Sequence, residues 1–147
     1  MEILIVEDQK YPIEALEFAV NSVMSKFDSD YVKGSYDKVK CYNDARSQIG
    51  KKDYGLILLD NRMPYEDQGD LEDRDMHAFS DTLQNIGYSL IPIIKGKSPK
   101  IVVIGTSSLS KGELKGLPTP DFTMRKMWDE AEEDLERILN QVIGDRK

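Results

Sequence analysis

Ile3-Leu4-Ile5-Val6-Glu7-Asp8 places four apolar, mostly β-branched residues directly before two carboxylates. A run this short is below helical length, and its lack of polar alternation predicts a strand covered on both faces. The same pattern returns at Tyr54 to Leu59, closed by Asp60, and at Ile101 to Ile104, followed by Gly105 and Thr106. Between these runs the spacing turns helical. After Pro12, which suits a first helical turn, Ile13, Leu16, Ala19, Val20, Val23 and Met24 recur at helical intervals up to about Phe27. Lys38 to Tyr42 alternates polar and apolar as an edge strand does, and Asn43 can cap a short helix carrying Ala45 and Ile49. Met76, Phe79, Leu83 and Ile86 form a further helical stripe. Ser110 opens a short segment that Gly116 and Pro118 close, Phe122 to Arg125 reads as a weaker strand, and Trp128 to Gly144 is the clearest amphipathic helix.

The order is β-α repeated five times. Right-handed crossovers then put helices on both faces of a mostly parallel sheet. The 147 residues suit one domain, which can bury roughly 68–70% of its unfolded surface. One Cys and one His exclude an intramolecular disulfide framework and an ordinary Cys/His zinc site. A formal charge of −7 argues against unspecific nucleic-acid binding. No apolar stretch approaches the roughly 18 residues of a membrane span, and no basic leader precedes Ile3. The expectation is a cytoplasmic single domain over residues 1–147, with no separate effector domain.

In an open parallel sheet, ligands bind beyond the carboxyl ends of the strands. Glu7 and Asp8 follow the first buried run, Asp60 the second and Thr106 the third, and Lys126 closes the fifth unit. Three carboxylates, a hydroxyl and an ammonium are therefore expected on one rim. Like charges about 4 Å apart repel by roughly 4 kcal/mol at an effective dielectric near 20, so a hard divalent cation, Mg²⁺ by its preference for oxygen ligands, would relieve the cluster. An Asp on such a rim can itself be a nucleophile that forms an acyl phosphate.

At Ile3 to Asp8, Leu56 to Pro64, Ile101 to Ser107 and Asp121 to Lys126, the chain resembles the receiver domains of two-component response regulators. The resemblance implies a three-layer, flavodoxin-like (CheY-like) doubly wound five-stranded parallel sheet with strand order 2-1-3-4-5. It implies that Asp60 accepts a phosphoryl group from the phosphohistidine of a sensor histidine kinase or phosphotransfer protein and later loses it by the domain's own hydrolysis. Asp8 and Asp60 would hold Mg²⁺, with Glu7 acting through water and the carbonyl of Arg62 completing the set. Thr106 would be the switch hydroxyl, with Ser107 and Ser108 as adjacent candidates, and Lys126 would pair with the phosphate, with Arg125 as the neighbouring cation. Output would run through an unnamed downstream protein, and homodimerisation is compatible with the family.

The sequence departs from the family at three places. Met127 follows Lys126 where receivers usually have Pro, and Thr123 stands three before the Lys, where an aromatic residue is usual, with Phe122 one earlier. The intervals from Asp8 to Asp60 and from Asp60 to Thr106 are long, the second through extra residues at Tyr65–Asp75 or around Tyr88–Pro99. These departures keep a second reading open, a phosphorylation-independent interaction module. A small Mg²⁺-dependent phosphohydrolase is a third, disfavoured because Asp60 is followed by Asn61-Arg62 and not by a second Asp two residues on. The acidic run Glu66 to Asp75 lacks the ordered spacing of a calcium loop and reads as solvated surface, as does His77. Cys41 reads as a small buried hydrophobe.

Overall fold

The computed structural model describes residues 1–110 and 112–145. The first apolar run is strand β1 (Ile3–Val6), with every residue buried, and helix α1 (Lys10–Phe27) follows it. Strand β2 (Asp37–Val39), helix α2 (Tyr42–Lys51) and the wholly buried strand β3 (Leu56–Leu59) complete the first half. A short strand β4 (Arg62–Pro64) comes next, with the small helices α3 (Leu71–Arg74) and α4 (Met76–Ser80) and strand β5 (Leu83–Asn85). A 3₁₀ turn (Gly87–Leu90) leads into α5 (Ile91–Lys97), β6 (Val102–Gly105), β7 (Phe122–Thr123) and α6 (Trp128–Asp145).

The main sheet runs β2-β1-β3-β6-β7, all parallel. Counted along the five strands of that sheet, this is the expected order 2-1-3-4-5. Strand alternation divides the core in two. Ile3, Ile5, Leu56, Leu58 and Ile104 face α1 and α6, whereas Leu4, Val6, Ile57, Leu59 and Val103 face α2 and α5. Each fully buried Leu or Ile of this kind contributes about 1.5–3 kcal/mol. The expected stripe on α1 is the face that is buried.

The register sets the functional rim. Val6 pairs with Leu59, Leu59 with Gly105 and Gly105 with Thr123, so the strands end level. The ladder then continues one step further. Asp60 N–H donates to the Val6 carbonyl at 3.1 Å, Thr106 N–H to Leu59 at 2.9 Å and Met124 N–H to Gly105 at 2.9 Å.

Elsewhere the structure corrects the sequence reading. Strand β2 ends at Val39, its last partner on β1, so Cys41 leaves the sheet and its sulfur caps α2 by accepting from Asp44 N–H at 3.4 Å; Asn43 lies inside the helix. The stripe Met76 to Ile86 is not one helix. The Thr82 hydroxyl and amide both donate to the Phe79 carbonyl, at 2.6 and 3.0 Å, and close α4. Leu83–Asn85 instead pairs antiparallel with Arg62–Pro64 as a separate ribbon. The third crossover helix is α5, within the Tyr88–Pro99 stretch where the sequence reading allows an enlarged loop. Between β6 and β7 the described residues form turns and no helix, so the fourth β-α unit lacks its expected helix there. One such turn closes where Leu114 N–H donates to the Ser110 carbonyl at 3.1 Å, and Gly116 follows at φ +85°, a backbone conformation that favours glycine. Residue 111 of that stretch lies outside the described residues.

Candidate functional site

Glu7, Asp8 and Asp60 leave adjacent strand ends, and one carboxylate oxygen from each lies within 4.8 Å of the others. All three are buried, Glu7 and Asp8 to 1% exposure and Asp60 to 4%. The Lys126 ammonium enters from the β7–α6 loop and sits 2.9 Å from Glu7 Oε2 and 3.1 Å from Asp60 Oδ2. One cation thus faces three buried carboxylates.

Their hydrogen bonds separate their roles. The two oxygens of Glu7 receive Gln9 N–H at 3.3 Å and the Lys126 ammonium at 2.9 Å. Asp60 Oδ1 accepts from Asn61 N–H at 2.8 Å. Asp8 Oδ2 has no partner, and neither does the Thr106 hydroxyl, buried at 1% exposure. Asn61 Nδ2, on the residue after Asp60, is a third unpartnered buried atom; buried polar atoms are nearly always satisfied, so the two rim oxygens are open to a ligand.

The electrostatics agree. Burial pushes the Asp8 carboxyl up to about 7, helped by the nearby Asp60 charge. Burial also drives Glu7 well above the usual carboxylate range, with Asp60 adding to the effect and Lys126 opposing it. Burial acts against the Lys126 charge, but Glu7 and Asp60 outweigh it and hold the ammonium above its ordinary value. Oxygen-only donors, excess negative charge and an open carboxylate oxygen fit a hard divalent cation.

Arg62 is exposed, begins β4 and lines the same cleft as Asp8, Asp60, Thr106 and Lys126, a cavity of about 1080 Å³. The neighbouring cation is distinct in position from Lys126. Arg125 turns to α6, where its Nε and terminal nitrogen each donate to Asp134 at 3.0 Å and its own backbone N–H donates to Asp134 Oδ2 at 2.9 Å. This bidentate clamp ties down the loop that carries Met127. Ser107 is half-buried and Ser108 exposed, so among the three adjacent hydroxyl residues Thr106 is the buried one.

Solved structures of the same shape are numerous. A response regulator receiver protein from Sinorhizobium medicae WSM419 matches over 100% of this chain and 97% of its own, with a TM-score of 0.64 and 14% identity. A receiver domain from Methylobacillus flagellatus matches over 97% and 98%, with a TM-score of 0.58 and 19% identity. The BeF₃-activated DrrB receiver domain matches over 97% of each chain, with a TM-score of 0.64 and 18% identity. The chain has the receiver-domain fold. No family model matches the sequence, and no curated protein matches it either. At these identities the receiver fold is shared while most of the sequence is not.

Several contacts around this rim carried no sequence signal. Asn61 is fully buried, and its carbonyl accepts from both Ile86 N–H at 3.1 Å and Gly87 N–H at 2.8 Å. The Glu72 carboxylate accepts Lys10 N–H at 3.1 Å, so the acidic excursion supplies the cap that Gln9 does not give α1. An Arg and an Asp nine residues apart, or a Glu 62 residues from the amide it caps, match no local motif.

Proposed function

We propose that the chain is a phosphoacceptor receiver of a two-component or phosphorelay system, taking a phosphoryl group onto Asp60 from the phosphohistidine of a sensor kinase or phosphotransfer protein. The observation that carries this reading is the pair of unpartnered oxygens, Asp8 Oδ2 and Thr106 Oγ1, flanking a buried Asp60 that already contacts an ammonium. In the transfer, an Asp60 carboxylate oxygen attacks phosphorus, the P–N bond breaks and the imidazole leaves. Lys126 lies where it can pair with the added negative charge, and the Thr106 hydroxyl is free to donate to a phosphoryl oxygen. By the resemblance, Asp8 and Asp60 would hold Mg²⁺, with Glu7 acting through water and the Arg62 carbonyl completing the protein ligands. Mg²⁺ at that position supplies charge neutralisation for the phosphoryl oxygens. The residues themselves orient the acceptor, and Lys126 offsets part of its charge.

Incubation with Mg²⁺ and acetyl phosphate, read by intact mass, tests the reading. One added phosphoryl group on the wild type and none on Asp60→Ala is the expected result; no addition, or equal addition to the variant, overturns it. Asp8→Ala is expected to abolish measurable Mg²⁺ binding, and an unchanged affinity would place the ligands elsewhere. A phosphorylation-independent interaction module remains the second reading, favoured by the Lys126 ammonium, which already offsets part of the acidic cluster without any ion.

A further inference from the structure

Outside the acidic rim, Asp134 is the one carboxylate buried among the described residues, at 7% exposure. It lies on the stretch of α6 that carries Ala131, Leu135 and Ile138 into the core. A charge there is costly unless it is bound, so its partner explains its place. The Arg125 guanidinium alone would neutralise it, and that side chain is 55% exposed. Yet Asp134 Oδ2 also accepts the Arg125 backbone N–H at 2.9 Å. This bond reaches the main chain one residue before Lys126. The sheet ladder leaves the loop early: β7 has two residues, and Met124 N–H makes its bond to Gly105 just past them. On the far side, the first helical bond runs from Ala131 N–H to the Met127 carbonyl at 2.7 Å. Arg125 and Lys126 stand between these two anchors, and Asp134 holds the first of them.

We propose that Asp134 is a positioning residue for Lys126: its bond to the Arg125 amide fixes the main chain that delivers the ammonium to Glu7 and Asp60. The bearing of this on phosphoryl acceptance rests on the reading of Asp60 as the acceptor. A lysine stem is flexible, and holding its tip against two carboxylates costs side-chain entropy. A main chain fixed beforehand removes part of that cost. The reference point is rigid, because the same turns of α6 are packed into the core. The ion pair with the Arg125 side chain is then secondary, and the main-chain bond is the contact that places Lys126.

Reductive methylation at limiting reagent, read for each lysine by peptide mass spectrometry, reports how firmly Lys126 is held. The rate of labelling by acetyl phosphate with Mg²⁺ reports what that placement does. Two variants separate the contacts: Arg125→Ala removes the guanidinium and keeps the amide, whereas Asp134→Ala removes both bonds. Lys97, bound to the Ile49 and Lys52 carbonyls, serves as the internal reference for general loosening. In Asp134→Ala, Lys126 is expected to methylate faster while Lys97 does not, and phosphorylation to slow by roughly tenfold to a hundredfold. Arg125→Ala is expected to match wild type in both measurements. Lys126 as protected in Asp134→Ala as in wild type, or exposed equally in both variants or together with Lys97, overturns the positioning role. Lys126 exposed in Asp134→Ala with phosphorylation at the wild-type rate overturns its bearing on the reaction. No labelling of the wild type, with Lys126 exposed in Asp134→Ala alone, overturns the acceptor reading and leaves the positioning of Lys126 standing.

Discussion

Arg125 and Lys126 are adjacent in the chain, and each meets carboxylates, yet the two pairings have opposite electrostatic outcomes. Arg125 holds Asp134 below the usual carboxylate range through hydrogen bonds at the mouth of the β7–α6 loop. Lys126 meets Glu7 and Asp60 in the interior, where burial dominates and Glu7 stays well above that range. The Arg pair is a clamp that completes its own charge. The Lys cluster is left with more negative groups than one ammonium can offset, an excess that a divalent cation would relieve.

Removing Lys126 should have the largest effect. Lys126→Ala strands two buried carboxylates, and unfolding in urea at pH 8 with chelator present should show a loss of about 3–5 kcal/mol. The loss should shrink at pH 5, where protons replace the missing cation. A surface-like effect at both pH values would remove the distinction between the two pairs.

Asp8→Asn should act in the opposite direction. The Asp8 carboxyl is lifted from 3.8 to about 7, so its protonated form favours the fold. That contribution is complete below its unfolded value and is lost as pH rises through about 7. The metal-free Asn variant should therefore exceed wild type in stability at pH 8, by on the order of 1–3 kcal/mol, and the difference should close toward pH 4. Mg²⁺ affinity of the wild type should run the other way, rising as pH passes 7 and Asp8 ionises. Parallel stability curves for the two proteins would contradict the assigned strain.

Asp134→Ala should have the smallest effect. It releases an Arg that remains largely in water, so the urea midpoint should fall by only a fraction of the Lys126→Ala change. The loop itself should loosen, visible as faster amide exchange at Arg125. A collapse comparable to Lys126→Ala would show that the clamp, and not the buried cluster, holds this end of the sheet.

The same contrast explains what the sequence disclosed. Ile3–Val6, Leu56–Leu59 and Val102–Gly105 are short apolar runs that can only be covered strands, and parallel register brings the residues after them into one row. Glu7, Asp60 and Thr106 were legible because their positions follow from the strands alone. The stripe from Met76 to Ile86 misled because its spacing suits a helix, while Leu83–Asn85 found a ladder partner in Arg62–Pro64, some 20 residues earlier. Helix α5 was hidden by its brevity and by Gly96, a weak helix former inside it. The Asn61 contacts and the Asp134 clamp depend on tertiary placement that no local period records.

Borohydride trapping gives the most direct measurement of the central claim. The protein is phosphorylated with acetyl phosphate and Mg²⁺, the acyl phosphate is reduced to homoserine, and tryptic peptides are sequenced by mass spectrometry. Conversion is expected within the peptide from Asp53 to Arg62, with fragment ions placing it at Asp60 and leaving Asp53 intact. Conversion at Asp8 or Asp53, or no conversion anywhere, would contradict the claim.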